Sequence, residues 1–450
     1  MRLTSHALRV LSASVMLTAV LLTGCSGDGG ETPTPPANAE RPSASSEAPA
    51  ESNSSAPSES TSSSTTGPEQ TEKTDGIKWT YSKNSDGTIT LIGYDKNAEK
   101  VPSGELKIPE KYDGYTVSKI GNQCLYKNND IECVIIPACV QTIGQQSFYQ
   151  CKNLTSVSMA EGVRQIELSA FSGCNLDTVT LPLSLTKVGA NAFAENVSLS
   201  NAVILGKTEF DSGTFNGCKN LITVEFKNSI RALPSGMFRE CAKLQNIVFP
   251  TNLKTLGSYI FYKCSLLSEI TIPETVTEIG SYGFAYTGLE SIVIPNGVTE
   301  IGNWEFSGCK NLSSVTIPET VKIIGEGAFA NCAFTRISLP KRMSQIKNVA
   351  FWNCSALRKI ALPEGLTVID TQAFEGCVSL TDIYIPASVV KVNSDAFQSC
   401  KSLSNVYFGG SEERWNQIVI SESTASPGNR YLTNSIMNRY WNQTAASIGY

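Results

Sequence analysis

Cysteine is the residue type of this chain with the widest choice of chemistry, because a thiol can form disulfides, bind metals or act as a nucleophile. The sequence holds 14 cysteines. Most of them stand three residues after a phenylalanine, as in "EGAFANC" at 326–332. This set is Cys151, Cys174, Cys218, Cys241, Cys264, Cys309, Cys332, Cys354, Cys377 and Cys400. Such regular spacing indicates a repeat position, so the repeat has to be understood before the thiols are given a role.

Other groups that could carry catalysis are scarce. The single histidine, His6, lies in an N-terminal segment that we expect to be removed, so the mature chain lacks an imidazole base or ligand. Two S-x-x-K motifs, Ser184 to Lys187 and Ser388 to Lys391, could pair a nucleophile with a base on a helix. Both fall in segments that we predict to be extended. With no C-x-x-C pair, a metal site is also disfavoured, and a net charge of −5 gives no reason to expect nucleic-acid binding.

A phenylalanine recurs every 22 or 23 residues through most of the chain. The series is Phe148, Phe171, Phe193, Phe215, Phe238, Phe261, Phe284, Phe306, Phe329, Phe351, Phe374 and Phe397, with Leu125 one period upstream. Each unit follows L-x-x-I-x-I-P-x-x-V-x-x-I-G-x-x-A-F-x-x-C, as in "LSEITIPETVTEIGSYGF". This period is typical of a leucine-rich-repeat solenoid with one coil per unit, and we predict about 13 coils.

The pattern within a unit predicts the path of each coil. The alternation in L-x-x-I-x-I is typical of a strand with its apolar side chains on one face. The proline that follows cannot continue a hydrogen-bonded ladder, so the chain turns. V-x-x-I then forms a second short extended segment, and the next glycine permits a tight bend before Ala-Phe enters the interior. Stacked about 4.8 Å apart, the coils would share one continuous core roughly 60 Å long.

The repeat predicts that the regular thiols are reduced and buried. Asn196 and Thr287 replace cysteine in two units, and all three residue types are small and able to hydrogen-bond to turn backbone. Stacked coils would also hold neighbouring Cβ atoms near 5 Å, farther apart than the ~3.8 Å of a disulfide. Cys124, Cys133 and Cys139 fall outside this ladder, and a disulfide between two of them stays open.

The N-terminal region has the features of an exported, anchored chain. Residues 1–24 combine a basic start with an apolar stretch too short to span a bilayer, as in a signal peptide. The segment ends in Leu22-Thr23-Gly24-Cys25, which resembles a bacterial lipobox, so we expect Cys25 to be lipidated. Residues 25–74 are rich in Ser, Thr, Pro and Glu and are predicted to be a disordered linker. A chain of this length has a root-mean-square reach of roughly 40 Å.

The I-P, V-x-x-I-G and A-F-x-x-C elements of the units resemble the BspA-like, Treponema-type leucine-rich-repeat family of bacterial surface proteins. The resemblance covers 106–409 and implies a right-handed superhelix of parallel β-strands with short helical or 3-10 turns. It also implies an N-terminal capping hairpin at 75–105 and a helix-plus-strand cap at 410–450. The segments concerned are "WTYSKNSDGTITLIGYDK", "YFGGSEERWNQIVI" and "LTNSIMNRYW". Members are regarded as binding proteins, and no catalytic residue or cofactor comes with the resemblance.

Aromatic residues mark one candidate binding site. Two positions before the repeat phenylalanine, three successive units carry Tyr259, Tyr282 and Trp304. Tyr262 and Tyr286 are close in the pattern, and Trp352 lies farther along. Equivalent positions stack in a solenoid, so the rings should form a row. The row could bind flat faces such as those of sugar rings, or the rings could simply pack on one another.

A second candidate is the outward face of the strands near the C-terminal end. The positions that flank the middle isoleucine there carry Arg336, Lys359, Asp382, Tyr384, Asn405 and Tyr407. Tyrosine, arginine and mixed polar groups on a rigid surface are typical of protein recognition. The alternative is an ordinary solvated sheet face.

Together these features predict a non-catalytic adhesion or binding protein, exported and lipid-anchored at the cell surface. Its expected partner is an extracellular host or microbial protein or a glycan, and its link to the membrane is the lipid on Cys25. One alternative is an accessory lipoprotein that captures glycans for partner enzymes. Another is an enzyme with an unrecognised carboxylate site. We expect no cofactor, no metal and no nucleic-acid partner.

Overall fold

The computed structural model describes residues 76–422, 428–434 and 436–450. They form a parallel β-solenoid of about 13 turns with little helix, which confirms the predicted fold class. The predicted signal peptide, Cys25 and the linker lie outside the described residues. The domain boundaries proposed from the sequence therefore stay a prediction.

Short strands make up almost all of the regular structure. In chain order they are β1 (Trp79–Lys83), β2 (Ile89–Tyr94), β3 (Gly104–Lys107), β4 (Lys111–Tyr112), β5 (Tyr115–Ile120), β6 (Ile131–Ile136), β7 (Thr142–Ile143), β8 (Ser156–Met159), β9 (Gln165–Ile166), β10 (Thr178–Leu181), β11 (Lys187–Val188), β12 (Asn201–Ile204), β13 (Glu209–Phe210), β14 (Thr223–Phe226), β15 (Ala232–Leu233), β16 (Asn246–Val248), β17 (Thr255–Leu256), β18 (Glu278–Ile279), β19 (Ser291–Val293), β20 (Glu300–Ile301), β21 (Ser314–Thr316), β22 (Ile323–Ile324), β23 (Arg336–Ile337), β24 (Gln345–Ile346), β25 (Lys359–Ala361), β26 (Val368–Ile369), β27 (Asp382–Ile385), β28 (Lys391–Val392), β29 (Asn405–Phe408), β30 (Val419–Ile420) and β31 (Asn438–Tyr440).

Two columns of parallel strands run along the solenoid. The L-x-x-I-x-I segments form the front sheet, whose hydrogen-bonded groups are β3-β6-β8, β10-β12-β14-β16, β19-β21 and β23-β25-β27-β29-β31. The V-x-x-I segments form the back sheet, grouped as β5-β7-β9-β11-β13, β15-β17-β18, β20-β22-β24 and β26-β28-β30. Equivalent residues of neighbouring coils are in register, as for Thr178 opposite Asn201. In β10 the residues alternate between exposed and buried, as the sequence pattern predicts.

The repeat phenylalanines form a continuous stack through the core. All twelve are fully buried, and the rings of consecutive members lie 4.9–6.0 Å apart. Such ring pairs add about 0.5–1.5 kcal/mol each beyond the burial of their area. The residues between the two columns form hydrogen-bonded turns, as in the Cys151 N–H donating to the Phe148 carbonyl at 3.2 Å.

The regular cysteines line the core beside these rings as free, buried thiols. Each thiol donates to a carbonyl of the preceding coil, as Cys332 does to Phe306 at 3.3 Å and Cys354 to Phe329 at 3.1 Å. Asn196 uses its side-chain amide in the same way, donating to Phe171 O at 2.8 Å. The position therefore selects a small donor that satisfies a buried carbonyl.

The first described residues form the hairpin predicted around Asp86-Gly87. Strands β1 and β2 pair antiparallel, and β2 then pairs in parallel with β5 of the first coil. Trp79 is buried against the core. The Asp86 carboxylate accepts from the Thr88 N–H at 3.0 Å, and Gly87 has φ +82°, which fixes the turn. The role of this hairpin as a cap stays a prediction.

At the other end, helix α1 (Glu412–Trp415) begins after Ser411, whose hydroxyl accepts from the Arg414 N–H. Helix α2 (Arg430–Thr433), strand β31 and a 3-10 helix (Ala445–Ile448) follow. Trp415 is buried, as predicted. The predicted helix and strand are thus present, and their capping function stays a prediction.

Candidate functional site

The three aromatic residues predicted to align do form a row. Tyr259 and Tyr282 stack with ring centroids 4.8 Å apart and planes 7° from parallel. Tyr282 and Trp304 lie 6.2 Å apart at 11°. Backbone hydrogen bonds between coils fix this register, since Tyr259 N–H donates to Ser281 O at 2.9 Å and Tyr282 N–H to Asn303 O at 3.0 Å. We call Tyr259, Tyr282 and Trp304 the aromatic row.

The row occupies backbone positions that disfavour large side chains. Tyr259, Tyr282 and Trp304 have φ of 58°, 59° and 56°, the left-handed region. The equivalent residues of flanking coils are Gly236 and Gly327, which adopt this conformation without strain. For L-residues with a Cβ, the left-handed conformation costs roughly 1–2 kcal/mol. The solenoid therefore carries three consecutive aromatic side chains at positions where glycine would be less strained.

Tyr262 and Tyr286 widen the row into a cluster of five rings. The Tyr262 ring stands edge-on to Tyr259 at 5.6 Å, to Tyr282 at 6.5 Å and to Tyr286 at 5.6 Å. Tyr259 is 37% exposed and Tyr286 is 43% exposed. Because these rings are only partly covered, the cluster is an accessible apolar surface.

Charged groups border the cluster on one side. The Arg239 guanidinium lies 5.4 Å from the Tyr262 ring and 5.9 Å from the Tyr259 ring, and Lys263 Nζ lies 5.2 Å from Tyr262. Glu240 Oε1 is within 3.4 Å of Arg239 and 3.7 Å of Lys263. The border is therefore mixed in charge and could meet polar ligand groups of either sign.

Glycines of the following coils seat the last rings. A Cβ added at Gly327 would lie 2.4 Å from Trp304 Cε3, and one added at Gly308 would lie 2.6 Å from the Tyr286 ring. Trp304 thus packs on Tyr282 on one side and on the Gly327 backbone on the other. The inner ring faces are occupied by neighbours, so a ligand would meet ring edges and tyrosine hydroxyls. The sequence did not distinguish these two presentations.

A buried acid lies beneath the row. Glu305 is fully buried; its Oε2 accepts from the Gly302 N–H at 2.6 Å, while its Oε1 has no hydrogen-bond partner. In the neighbouring coils the equivalent amide, as in Gly280, instead donates to a carbonyl of the preceding coil. Burial raises the pKa of Glu305 to about 8, against the lowering effect of the Gly302 hydrogen bond. The sequence analysis did not single out this residue, although other units carry small or apolar residues there.

The second candidate surface is partly covered by the chain itself. Tyr384, on β27, is only 2% exposed and forms a small second core with Ala361 and Ile448 of the 3-10 helix. Its hydroxyl donates to Glu364 Oε1 at 2.6 Å. Asp382, 9% exposed, accepts from the Thr381 hydroxyl at 2.6 Å. The outward direction predicted for Tyr384 is thus correct, but the residue is not open to solvent.

The remaining residues of that surface surround the same segment. Tyr450 donates its hydroxyl to Lys359 O at 2.7 Å, and the Arg336 guanidinium lies 4.7 Å from the Tyr450 ring. Tyr407 stacks on Tyr440 with centroids 4.7 Å apart. Arg336, Lys359, Asp382, Tyr384 and Tyr407 are therefore brought together as predicted, with residues 445–450 among them.

Trp352 lies apart from the aromatic row, two coils beyond Trp304. It is half-buried, and its N–H contributes a hydrogen bond that lowers the pKa of Glu375, although burial raises that pKa overall. Trp352 is thus not brought into the five-ring cluster.

The S-x-x-K serines have structural partners. Ser184 Oγ donates to Val163 O at 2.9 Å and Ser388 Oγ donates to Leu366 O at 2.7 Å. Each hydroxyl ties one coil to the preceding one. Across 76–422, 428–434 and 436–450, no three His, Cys, Asp or Glu side chains are grouped to hold a metal ion. Within the same ranges, no helix is long and apolar enough to cross a membrane.

Sequence comparison decides the family. The profile described as BspA type leucine rich repeat region matches residues 105–200, 196–312 and 277–404, in 6 copies. The chain belongs to the BspA-type leucine-rich-repeat family. No curated protein matches the chain significantly. Homologues of this family are repeat proteins that are typically non-catalytic.

Solved structures share the fold. A leucine-rich repeat protein from Bacteroides ovatus ATCC 8483 is 24% identical, with a TM-score of 0.58, and the match covers 83% of this chain and 100% of that one. A leucine rich cell surface protein from Faecalibacterium prausnitzii A2-165 is 27% identical, with a TM-score of 0.48, over 77% of this chain and 97% of that one.

Proposed function

We propose that this chain is a non-catalytic binding protein of the bacterial surface, anchored through a lipid on Cys25. The solenoid would be presented beyond the linker to an extracellular protein or glycan. The observation that carries the proposal is the aromatic row, in which three successive coils place Tyr or Trp at left-handed positions. Strain of this kind persists where the surrounding structure imposes it and is common at ligand sites.

The anchor and the binding site are tested separately. For the anchor, detergent partitioning compares the full chain with Cys25→Ala. The wild-type chain should enter the detergent phase and the variant should stay in the aqueous phase. Identical aqueous partitioning of both would overturn the anchor without bearing on the binding surface.

For the binding site, the full Cys25→Ala chain is applied to a glycan array and to immobilised extracellular matrix proteins. Replacing Tyr259, Tyr282 and Trp304 with glycine should abolish binding to the ligands found. The matched control replaces Tyr126 and Tyr149, a stacked pair with centroids 5.4 Å apart in the first coils. Unchanged binding by the row variant would move the site elsewhere, with the strand face from Arg336 to Tyr407 next to be tested.

A second candidate function is the capture of glycans for partner enzymes. It is favoured by a polar groove that adjoins the row and is described below. An enzymatic role has less support, because Glu305 is sealed in the core and the Ser184 and Ser388 hydroxyls donate to backbone carbonyls. Turnover of glycans or peptides by the purified chain would overturn the non-catalytic assignment.

A further inference from the structure

A polar groove interrupts the back sheet just beyond the aromatic row. Its volume is about 580 Å³, within the range of small-molecule sites. It lies where β24 and β26 belong to different hydrogen-bonded groups. The repeat glycine after the back strand is replaced there by Lys347 and Asp370. The loss of two successive consensus glycines and of strand pairing thus coincides with the groove.

The lining of the groove can exchange hydrogen bonds in both directions. It includes the amides of Asn303 and Asn348, the Thr367 hydroxyl, the Glu326 and Asp370 carboxylates and the Lys347 ammonium. Amides and hydroxyls both donate and accept, as the hydroxyl groups of a sugar require. Two carboxylates against one ammonium make the lining negative overall, which disfavours an anionic ligand.

The groove is continuous with the row. Trp304 N–H donates to Glu326 O at 2.7 Å, and Glu326 N–H donates to Asn303 Oδ1 at 2.9 Å. Burial raises the pKa of Tyr282 to about 12, and the Glu326 carboxylate adds to that rise, so its charge acts on the row hydroxyl. Asn303 and Glu326 therefore belong to both surfaces.

We propose that the aromatic row and this groove form one extended site for a neutral oligosaccharide. The apolar edges and hydroxyls of the row would contact the sugar rings at one end, and the groove would bind their hydroxyl groups at the other. From Tyr259 to Asp370 the site spans five coil steps, ~24 Å at ~4.8 Å per step. This inference rests on the proposed function and names its ligand class.

Calorimetry with the full Cys25→Ala chain tests the proposal. The probes are cello-, malto-, xylo- and chito-oligosaccharides as dimers and hexamers, with a heparin hexasaccharide as the anionic probe. At least one neutral hexamer should bind, and should bind about tenfold or more tightly than its dimer, because only the longer chain reaches both parts of the site. The heparin hexasaccharide should bind more weakly than that hexamer.

Matched variants locate the ligand. Asn348→Ala with Thr367→Ala should weaken hexamer binding about tenfold or more. The control, Asn246→Ala with Thr271→Ala, removes the same side-chain types from a groove of about 500 Å³ on the front sheet. It should bind as wild type does. The aromatic-row variant should also lose the hexamer, while far-UV circular dichroism confirms that every variant is folded.

The outcomes separate this inference from the broader proposal. If every neutral hexamer fails to bind but an immobilised protein binds through the row, the oligosaccharide site is overturned and the binding function stands. If the groove variant binds hexamers normally while the row variant does not, the extended site is overturned. A preference for heparin would overturn the neutral ligand. Failure of all glycans and proteins would overturn both proposals.

Discussion

Two aromatic surfaces of the same solenoid differ in what covers them. The aromatic row leaves ring edges open, with Tyr259 37% exposed, whereas Tyr384 on the front sheet is 2% exposed. Both surfaces lie on regular coils, and both are formed by residues that the repeat directs outward. The difference comes from Ile448 and Tyr450, which lie outside the repeats. The repeat position determines the direction of a side chain, and a segment elsewhere in the chain determines whether it meets solvent.

The largest expected effect tests this difference in cover. Tyr384→Ala should lower the free energy of unfolding by about 3–5 kcal/mol, the range for large buried aromatic side chains. Tyr282→Ala should lower it by about 1–2 kcal/mol, because Tyr282 is half-buried and loses mainly ring contacts. Urea denaturation followed by circular dichroism gives both values.

Tyr384→Phe is the control for the first of these variants. It keeps the ring and removes only the hydroxyl that donates to Glu364, so it should cost less than the alanine variant. Equal costs for Tyr384→Ala and Tyr282→Ala would show that residues 445–450 do not cover the front sheet in solution.

The two regions also differ in how they accommodate a buried acid. Asp382 beneath the second surface accepts hydrogen bonds from Thr381 and Asn405. Glu305 beneath the row has one oxygen without a hydrogen-bond partner, and burial raises its pKa to about 8 in the folded chain. The folded state therefore holds this proton more tightly than the unfolded state.

A pH dependence follows from Glu305. Its contribution to stability should be complete below its ordinary pKa of 4.5 and be lost as the pH rises through about 8. Between these values the free energy of unfolding should fall by about 1.4 kcal/mol per pH unit relative to Glu305→Gln, which does not titrate. Urea denaturation of both chains at several pH values measures the difference. Parallel curves for the two chains would mean that Glu305 is ionised in the fold.

The thiol ladder runs beneath both regions and should not distinguish them. Cys332→Ser and Cys377→Ser should each cost on the order of 1–2 kcal/mol, since each leaves a small polar group in a buried site. Intact mass after alkylation in denaturant should show free thiols throughout the ladder. More than one disulfide per chain, or a large difference between the two variants, would contradict a uniform ladder.

The contrast between the regions also explains what could be predicted from the sequence. The period, the strand alternation and the role of the ladder cysteines follow from local patterns that repeat many times. The left-handed backbone at the row had a usable signal, because Gly213, Gly236 and Gly327 occupy the same repeat position. The cover over Tyr384 had none, since it depends on contacts such as Arg336 with Gly449, 113 residues away. The partner of the Glu305 side chain likewise depends on packing, not on pattern.

The smallest expected effect on stability sharpens the comparison most. Tyr259→Gly removes a stacked ring worth about 0.5–1.5 kcal/mol, but it also relieves a left-handed conformation that costs roughly 1–2 kcal/mol for an L-residue. These terms offset each other, so the free energy of unfolding should change by less than about 1 kcal/mol. Tyr407→Gly has no such relief, because Tyr407 lies in strand β29 and stacks on Tyr440. Urea denaturation should therefore show a clearly larger loss for Tyr407→Gly. If Tyr259→Gly is as costly, the row is held by packing alone, and its strain is no argument for a ligand.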